Sequence, residues 1–323
     1  MKAATASTHF SSQSSSQSSG HSEAQDYKNQ SPSAQFELTT AQRLLWLGQK
    51  LAPDSPLYNM AFLFTLNGDV DEEHFQAAFQ AVVERSDALR TVIDETEGAA
   101  KQQVLPQLDY AVFVLDFREE ADPEAVARVW AEDRAQKLFD LSVCLFDTVL
   151  IRLPNGRTMW YLNQHHLITD IASVKLLFET VSDCYQRSQA GTLADMPSLP
   201  AYTAVDLATP SAQSVDHWRQ CEANPVALYH RTAGQVSSAS QGRSNRVSCE
   251  LGPERTAALK TLAMDSEATA LTPALSLFNV VAGILFAYLA RVSQCNQLAV
   301  ATPAHGRPTR SLKETLGVFI ELF

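Results

Sequence analysis

No apolar run follows Met1, no cluster of lysine and arginine stands in the chain, and no pair of cysteines has C-x-x-C spacing. Without an apolar start the sequence carries no secretory signal. The formal charge is −11, from 25 Lys+Arg against 36 Asp+Glu, so neither nucleic acid nor an anionic membrane surface is an expected partner. The five cysteines (Cys144, Cys184, Cys221, Cys249 and Cys295) are odd in number and scattered. They argue against a disulfide framework and a zinc site, and for reduced thiols in a cytoplasmic protein. The longest apolar run, Leu275 to Ala290, is interrupted by Ser276 and Asn279 and falls short of the roughly 20 residues that span a bilayer. It predicts a buried helix. A nucleophile elbow (G-x-S-x-G) is also missing, as is any reactive cysteine setting, so a covalent acyl-enzyme is not expected.

What is present is a chain of 323 residues with 45% apolar content, enough for two packed units. Residues 1–35 are rich in Ser and Gln and predict a disordered tail. From Phe36, a first unit extends to about residue 190. Thr39 or Thr40 caps a helix through Leu47, Tyr58 to Leu66 reads as a strand, and Asp71 caps a helix with Phe75, Phe79 and Val82-Val83 on one face. Leu89 to Ile93 leads into another strand, and Val104 to Leu115 reads as more sheet. Asp122-Pro123 opens a helix whose inward face is Val126, Val129 and Trp130. A hairpin runs Leu145 to Leu153, turns at Pro154-Asn155-Gly156 and returns from Thr158 to His165. A crossing segment occupies 191–245. A second unit, 246–323, begins with a strand from Arg246 to Leu251, then helices from Pro253 and Thr272-Pro273, then a strand at Leu298 to Ala301. The sequence ends within an apolar segment, Val318 to Phe323, and reads as cut short inside this unit.

The chain is organised around His165-His166-Leu167-Ile168-Thr169-Asp170-Ile171. The aromatic strand Met159 to Leu162 precedes it and a helix from about Ile171 to Gln186 follows. Neighbouring strand side chains point to opposite faces, so one histidine faces the core and the other open space. His166, nearer the loop, is the candidate working residue. An unperturbed imidazole, with a pKa near ~6.5, can accept a proton from an attacking amine or hydroxyl. Asp170 could orient a histidine, bind metal or hold the loop through a salt bridge. The division of the histidines between faces weighs against metal. On spacing alone, two core histidines and a capping aspartate explain the pattern more plainly.

The same residues resemble a known signature. His165-His166-Leu167-Ile168-Thr169-Asp170 is similar to the HHxxxD motif of the condensation domains of nonribosomal peptide synthetases. Thr39 to Trp46 resembles that family's opening S-x-A-Q-x-R-L-W, and Glu84 to Thr91 its R-H-E-x-L-R-T. Gly306-Arg307 and Leu316 to Ile320 resemble its later G-R and G-x-F-V-N segments. The order is the family's own. The resemblance implies an α/β (α+β) fold of two chloramphenicol-acetyltransferase-like lobes, the second incomplete here, with the active site between them. It implies an acyltransferase that joins a carrier-bound acyl or aminoacyl donor to a carrier-bound amine; with Met1 opening the chain, the domain is expected to lead its polypeptide. No cofactor is bound directly, because the substrates ride on phosphopantetheine arms, and the partners are carrier proteins and adjacent assembly-line domains. His166 becomes the catalytic histidine, His165 a structural neighbour, and Asp170 a structural partner of Arg307. Two other readings accompany it: an ester-forming HHxxxD acyltransferase using carrier- or CoA-bound donors, and a non-catalytic domain that docks carriers. Ile171 stands where the family has glycine. A β-branched residue disfavours positive φ, which predicts a reshaped loop or a narrowed tunnel. Leu44, Ser86-Asp87 and Glu321 also depart from the family's pattern.

Overall fold

The computed structural model describes residues 34–95, 99–205, 211–220, 247–265, 270–295 and 298–322. The disordered-tail expectation, much of the crossing segment and Cys221 lie outside them. Order begins with a short strand, β1 (Gln35–Glu37), and helix α1 (Thr40–Leu51). The Thr39 side chain accepts from the Gln42 N–H while the Gln42 side chain accepts from the Thr39 N–H, a reciprocal cap that fixes where α1 starts. There follow β2 (Asn59–Asn67), α2 (Glu72–Arg85, capped by Asp71), β3 (Thr91–Asp94), β4 (Lys101–Val104), β5 (Phe113–Asp116) and α3 (Pro123–Ala135). Then come β6 (Phe146–Leu153), β7 (Arg157–His165) and α4 (Ile171–Gln189). The remaining elements are α5 (Ala212–Gln220), α6 (Gly252–Asp265), α7 (Pro273–Ser293), β8 (Pro303–Ala304), α8 (Arg310–Lys313) and β9 (Glu321–Leu322).

A four-stranded sheet in the order β2-β7-β6-β5 carries the fold, antiparallel except for the parallel β5–β6 pair. The β6–β7 hairpin turns through Asn155 and Gly156, both at positive φ. Strand β7 is buried along both faces, which explains its unbroken apolar run. Its even-numbered residues, Trp160 and Leu162, join the core under α2 and α4 with Phe75, Phe79 and Leu177. Its odd-numbered residues, Met159 and Tyr161, pack on Ala127 and Ala131 of α3. A three-stranded sheet, β1-β4-β3, and the two-stranded β8-β9 complete the strands among the described residues.

Several expectations change. Helix α3 buries Ala127 and Ala131 and leaves Val129 exposed, because small residues let it approach the sheet closely. Residues 105–112 form no strand. Residues 247–251 and 298–302 are irregular, and Val247 is 93% exposed, with no neighbouring strand among the described residues to pair it. The largest correction concerns α7. It passes the length and composition test for a membrane-crossing helix, contrary to the estimate from its polar residues. It is also not the buried helix expected, since Leu275, Phe278, Val281, Ile284 and Tyr288 are exposed. Among the described elements it packs against α6.

Candidate active site

The hairpin delivers two adjacent histidines to one end of the sheet. His165 is the last residue of β7, paired with Asn59 of β2, and is buried. Its backbone N–H donates to Leu145 O at 2.8 Å. Its ring lies beside Tyr58 and Phe139. Nδ1 accepts from the Leu167 N–H at 3.2 Å, which leaves the proton on Nε2, 3.4 Å from Gln49 Oε1. Burial, together with the neighbouring His166, pulls its pKa down to about 4, so the ring is neutral at ordinary pH.

His166 follows on the loop and is partly exposed. Its N–H donates to Tyr58 O at 2.8 Å. Ring atom Nδ1 is buried and has no hydrogen-bond partner among the described residues. The loop bends back at once, Ile168 N–H donating to His165 O.

Asp170 is 1% exposed and turned away from hydrogen bonding to either histidine. It caps α4, its Oδ1 accepting from Ser173 N–H at 2.8 Å. Its Oδ2 accepts from Phe319 N–H at 2.9 Å. Arg307, 3% exposed, donates to both carboxylate oxygens, at 3.0 and 3.2 Å. These donors occupy the carboxylate that a metal or a His-Asp dyad would need. The guanidinium also reaches Ser173 Oγ (2.5 Å), Gly317 O, Leu312 O and Thr315 O, and stacks over Phe319 at 4.2 Å. A buried charge survives only when so surrounded.

Sequence reading overlooked several of these partners. Ser173 Oγ donates to Gly317 O and accepts from Gly317 N–H. Gly317 has φ +147, and a Cβ there would lie 2.1 Å from the Tyr202 ring, so only glycine fits. Tyr202 donates to Val318 O, and Asp87 accepts from Tyr202 N–H, Thr203 N–H and Thr203 Oγ1. Polar residues used once in a tertiary contact leave no periodic trace; only the glycine in Leu316-Gly317-Val318 was a signal. Ile171 meanwhile is the first residue of α4, and the positive-φ non-glycine residues described are Asn155 and Gln294 alone. The loop therefore takes isoleucine without backbone strain, and the side chain is 59% exposed.

Covalent alternatives find no support in the thiols. Burial raises Cys144 to about 12 and Cys184 to about 11, so neither is a ready thiolate. A cavity of about 490 Å³ lies at the other end of the sheet, lined by Asp69, Asp71, Glu72, Arg118, Arg152 and Arg157. That end is roughly 26 Å from the histidines along β7, at about 3.3 Å per residue. Its arginines pair with Asp116, Glu72 and Glu124.

Comparison with known proteins agrees with the geometry. The sequence profile of the condensation domain matches residues 33–323. A linear gramicidin synthase from Brevibacillus parabrevis is 27% identical over 295 residues, which is 88% of this chain and 4% of that protein. Phosphinothricin tripeptide synthetase PhsC of Streptomyces viridochromogenes is 28% identical over 87% of this chain and 26% of its own length. The chain thus spans only a small part of these relatives. Among solved structures, the first condensation domain of the CDA synthetase superposes with a TM-score of 0.64 at 21% identity, over 90% of this chain and 69% of that one. A substituted starter condensation domain of rhizomide synthetase, in complex with C8-CoA and Leu-SNAC, gives 0.64 at 22%, over 90% and 65%. These likenesses show the fold.

Proposed function

The chain belongs to the condensation-domain family, and from that premise we propose that it joins a carrier-bound acyl or aminoacyl group to a carrier-bound amine. The observation that carries the reading is His166: partly exposed at the end of a rigid strand, its backbone held by Tyr58 O, with a ring nitrogen free of partners among the described residues. The amine nitrogen attacks the thioester carbonyl carbon. The C–N bond forms, the C–S bond breaks, and the amine's proton passes by way of His166 to the departing thiolate. General-base help of this kind is worth about 10²–10⁴-fold. His165, neutral and buried, holds the strand end, and Asp170 with Arg307 holds the loop beyond it.

Transfer is direct: the sequence has no G-x-S-x-G nucleophile elbow, and burial raises the Cys144 and Cys184 thiols to about 12 and about 11. The free thiols at Cys144, Cys184 and Cys249 support a reducing, cytoplasmic setting. Both substrates arrive on phosphopantetheine arms of carrier proteins. That the rhizomide synthetase domain was solved with C8-CoA and Leu-SNAC supports an acyl thioester and an aminoacyl thioester as the two reactants here.

The test supplies donor- and acceptor-loaded carrier proteins to the chain and reads the joined product by mass spectrometry. His166→Ala is expected to cut product about 10²–10⁴-fold. Equal product from both proteins removes His166 from the chemistry. Amine and hydroxyl acceptors offered in parallel separate amide from ester formation, and ester alone overturns the amide reading.

A further inference from the structure

Helix α1 packs Ala41, Leu45 and Trp46 against the core, yet its most buried side chain is an amide. Leu44, Leu47 and Leu51 are exposed, whereas Gln42 is 1% exposed and Gln49 is half-buried. Burying amides costs free energy unless each polar atom finds a partner. Here one partner of each glutamine is a direct neighbour of His166 in the chain. Gln42 Nε2 donates to Leu167 O at 3.2 Å, immediately after His166, and to Gln102 Oε1 at 3.1 Å. Gln49 Oε1 faces the Nε2 of His165, immediately before His166. Between them, Gly48 lets the helix touch the Tyr58 ring, since a Cβ there would lie 1.9 Å from the Tyr58 hydroxyl. The carbonyl of Tyr58 is the one that holds the His166 N–H. Gln42 and Gln49 are seven residues apart, two helical turns, and so lie on one face.

The amide of Gln49 cannot be turned round. Its Nε2 donates to the carbonyls of Ala52, Pro53 and Ser55, at 3.0, 3.3 and 3.2 Å. Flipping it would set an oxygen against three acceptors. Oε1 must therefore face His165, where it selects the same tautomer that the Leu167 N–H selects at Nδ1. Two independent contacts thus agree on where the His165 proton sits.

We infer that α1 is a positioning helix for His166, with Gln42 fixing the backbone after it and Gln49 fixing the imidazole before it. Neither glutamine touches the reacting atoms. They hold the catalytic side chain's two neighbours, and with them the direction in which it leaves the strand. The inference rests on the proposed role of His166, but its test does not depend on turnover.

Nitrogen-resolved NMR of the histidine rings in the full chain reads both the tautomer and the titration of His165, with thermal melting to establish that each variant is folded. In Gln49→Glu, one carboxylate oxygen stands beside Nε2–H. The other gives up the bonds to Ala52, Pro53 and Ser55 and must turn from those carbonyls, so the variant is used only where melting shows it folded. The His165 midpoint is expected to rise by about one pH unit or more, as an adjacent opposite charge favours the protonated ring. In Gln49→Leu the Nε2 proton loses its acceptor, so the Nε2 resonance moves while Nδ1, still held by Leu167, does not. Turnover measured alongside is expected to fall in kcat at unchanged KM for Gln49→Leu, and Gln49→Asn, too short to reach, does not restore it. Folded variants whose His165 signals and midpoint match the parent overturn the inference. Moved ring signals without any His166-dependent turnover in the parent leave the brace standing and defeat only the proposed chemistry.

Discussion

Helices α4 and α7 are similar in length, 19 and 21 residues, and each starts from a side-chain cap, Asp170 for one and Thr272 for the other. By composition α7 is the more apolar. Yet α4 buries Val174, Leu177, Val181 and Cys184 against the main core, while α7 buries only Ser276, Val280 and Leu289. Hydrophobicity states what a helix requires of its surroundings; the surroundings decide whether it is met. The contrast deepens just beyond α7, where Leu316, Val318 and Phe319 join the same core as α4. Polar chemistry carries that second docking: Arg307, Asp170 and Ser173 hold the segment, and Phe319 packs edge-on against Tyr202.

Unlocking that docking is expected to have the largest effect. Arg307→Leu leaves Asp170 buried without its cation and is expected to cost about 3–5 kcal/mol, read as a fall in the urea midpoint at unchanged slope. Phe278→Ser on the exposed side of α7 is expected to cost no more than about 0.5 kcal/mol. Similar losses from the two variants would show that α7 is covered after all.

A second, smaller effect comes from pH. His165 has its pKa lowered from 6.5 to about 4 by burial and by His166. Below pH 6.5 the unfolded chain takes up a proton that the folded chain refuses. The stabilisation is therefore complete above pH 6.5 and is lost as pH falls toward 4, by up to about 3 kcal/mol. Melting at stepped pH is expected to show this slope in the parent and to lose it in His165→Gln. Hydrogen exchange of α7 amides that open locally should not follow it, because the group responsible lies in the other region.

The smallest effect separates two glycines. Gly283, in α7, has open space around its Cβ position, and Gly283→Ala is expected to stabilise the helix by roughly 0.5–1 kcal/mol, seen as slower exchange of its amides. Gly317→Ala, strained at φ +147 and set against Tyr202, is expected to destabilise instead. Matching signs in the two variants would erase the distinction between a free and a locked region.

Much of the first unit was legible in the sequence because its signals are local. Asp71, Thr39 and Asp122 announce helix starts, Asn155-Gly156 announces a turn, and Met159 to Leu162 reads as a strand buried on both faces. The double histidine at the end of that strand was legible for the same reason. Ile171 misleads, since a missing glycine looks like a demand on φ where the backbone is simply the first turn of a helix. Of the strands expected at Arg246 to Leu251 and Leu298 to Ala301, residues 247–251 and 298–301 are irregular, because a strand needs a partner and none is present among the described residues. Gln42 and Asp87 fell within motif matches that did not show what they bond, and Gln49 and Ser173 left no such trace: a buried polar side chain is recognised by what it meets, and many of those partners lie far away in sequence.

The bond between Arg307 and Asp170 joins residues 137 positions apart. A chain emerging from the ribosome completes the β6–β7 hairpin and starts α4 long before Arg307 exists. During that interval the capping carboxylate of α4 lacks its cation, and the groove that receives Leu316, Val318 and Phe319 stands open to solvent. Closing so long a loop costs little more than closing one of half the length, about 0.6 kcal/mol per doubling, so the delay is one of synthesis rather than of free energy. The loop that carries His166 is thus finished only after residue 307 has been made, and an intermediate stalled before it would hold its strand and its histidines but not the clasp that sets them.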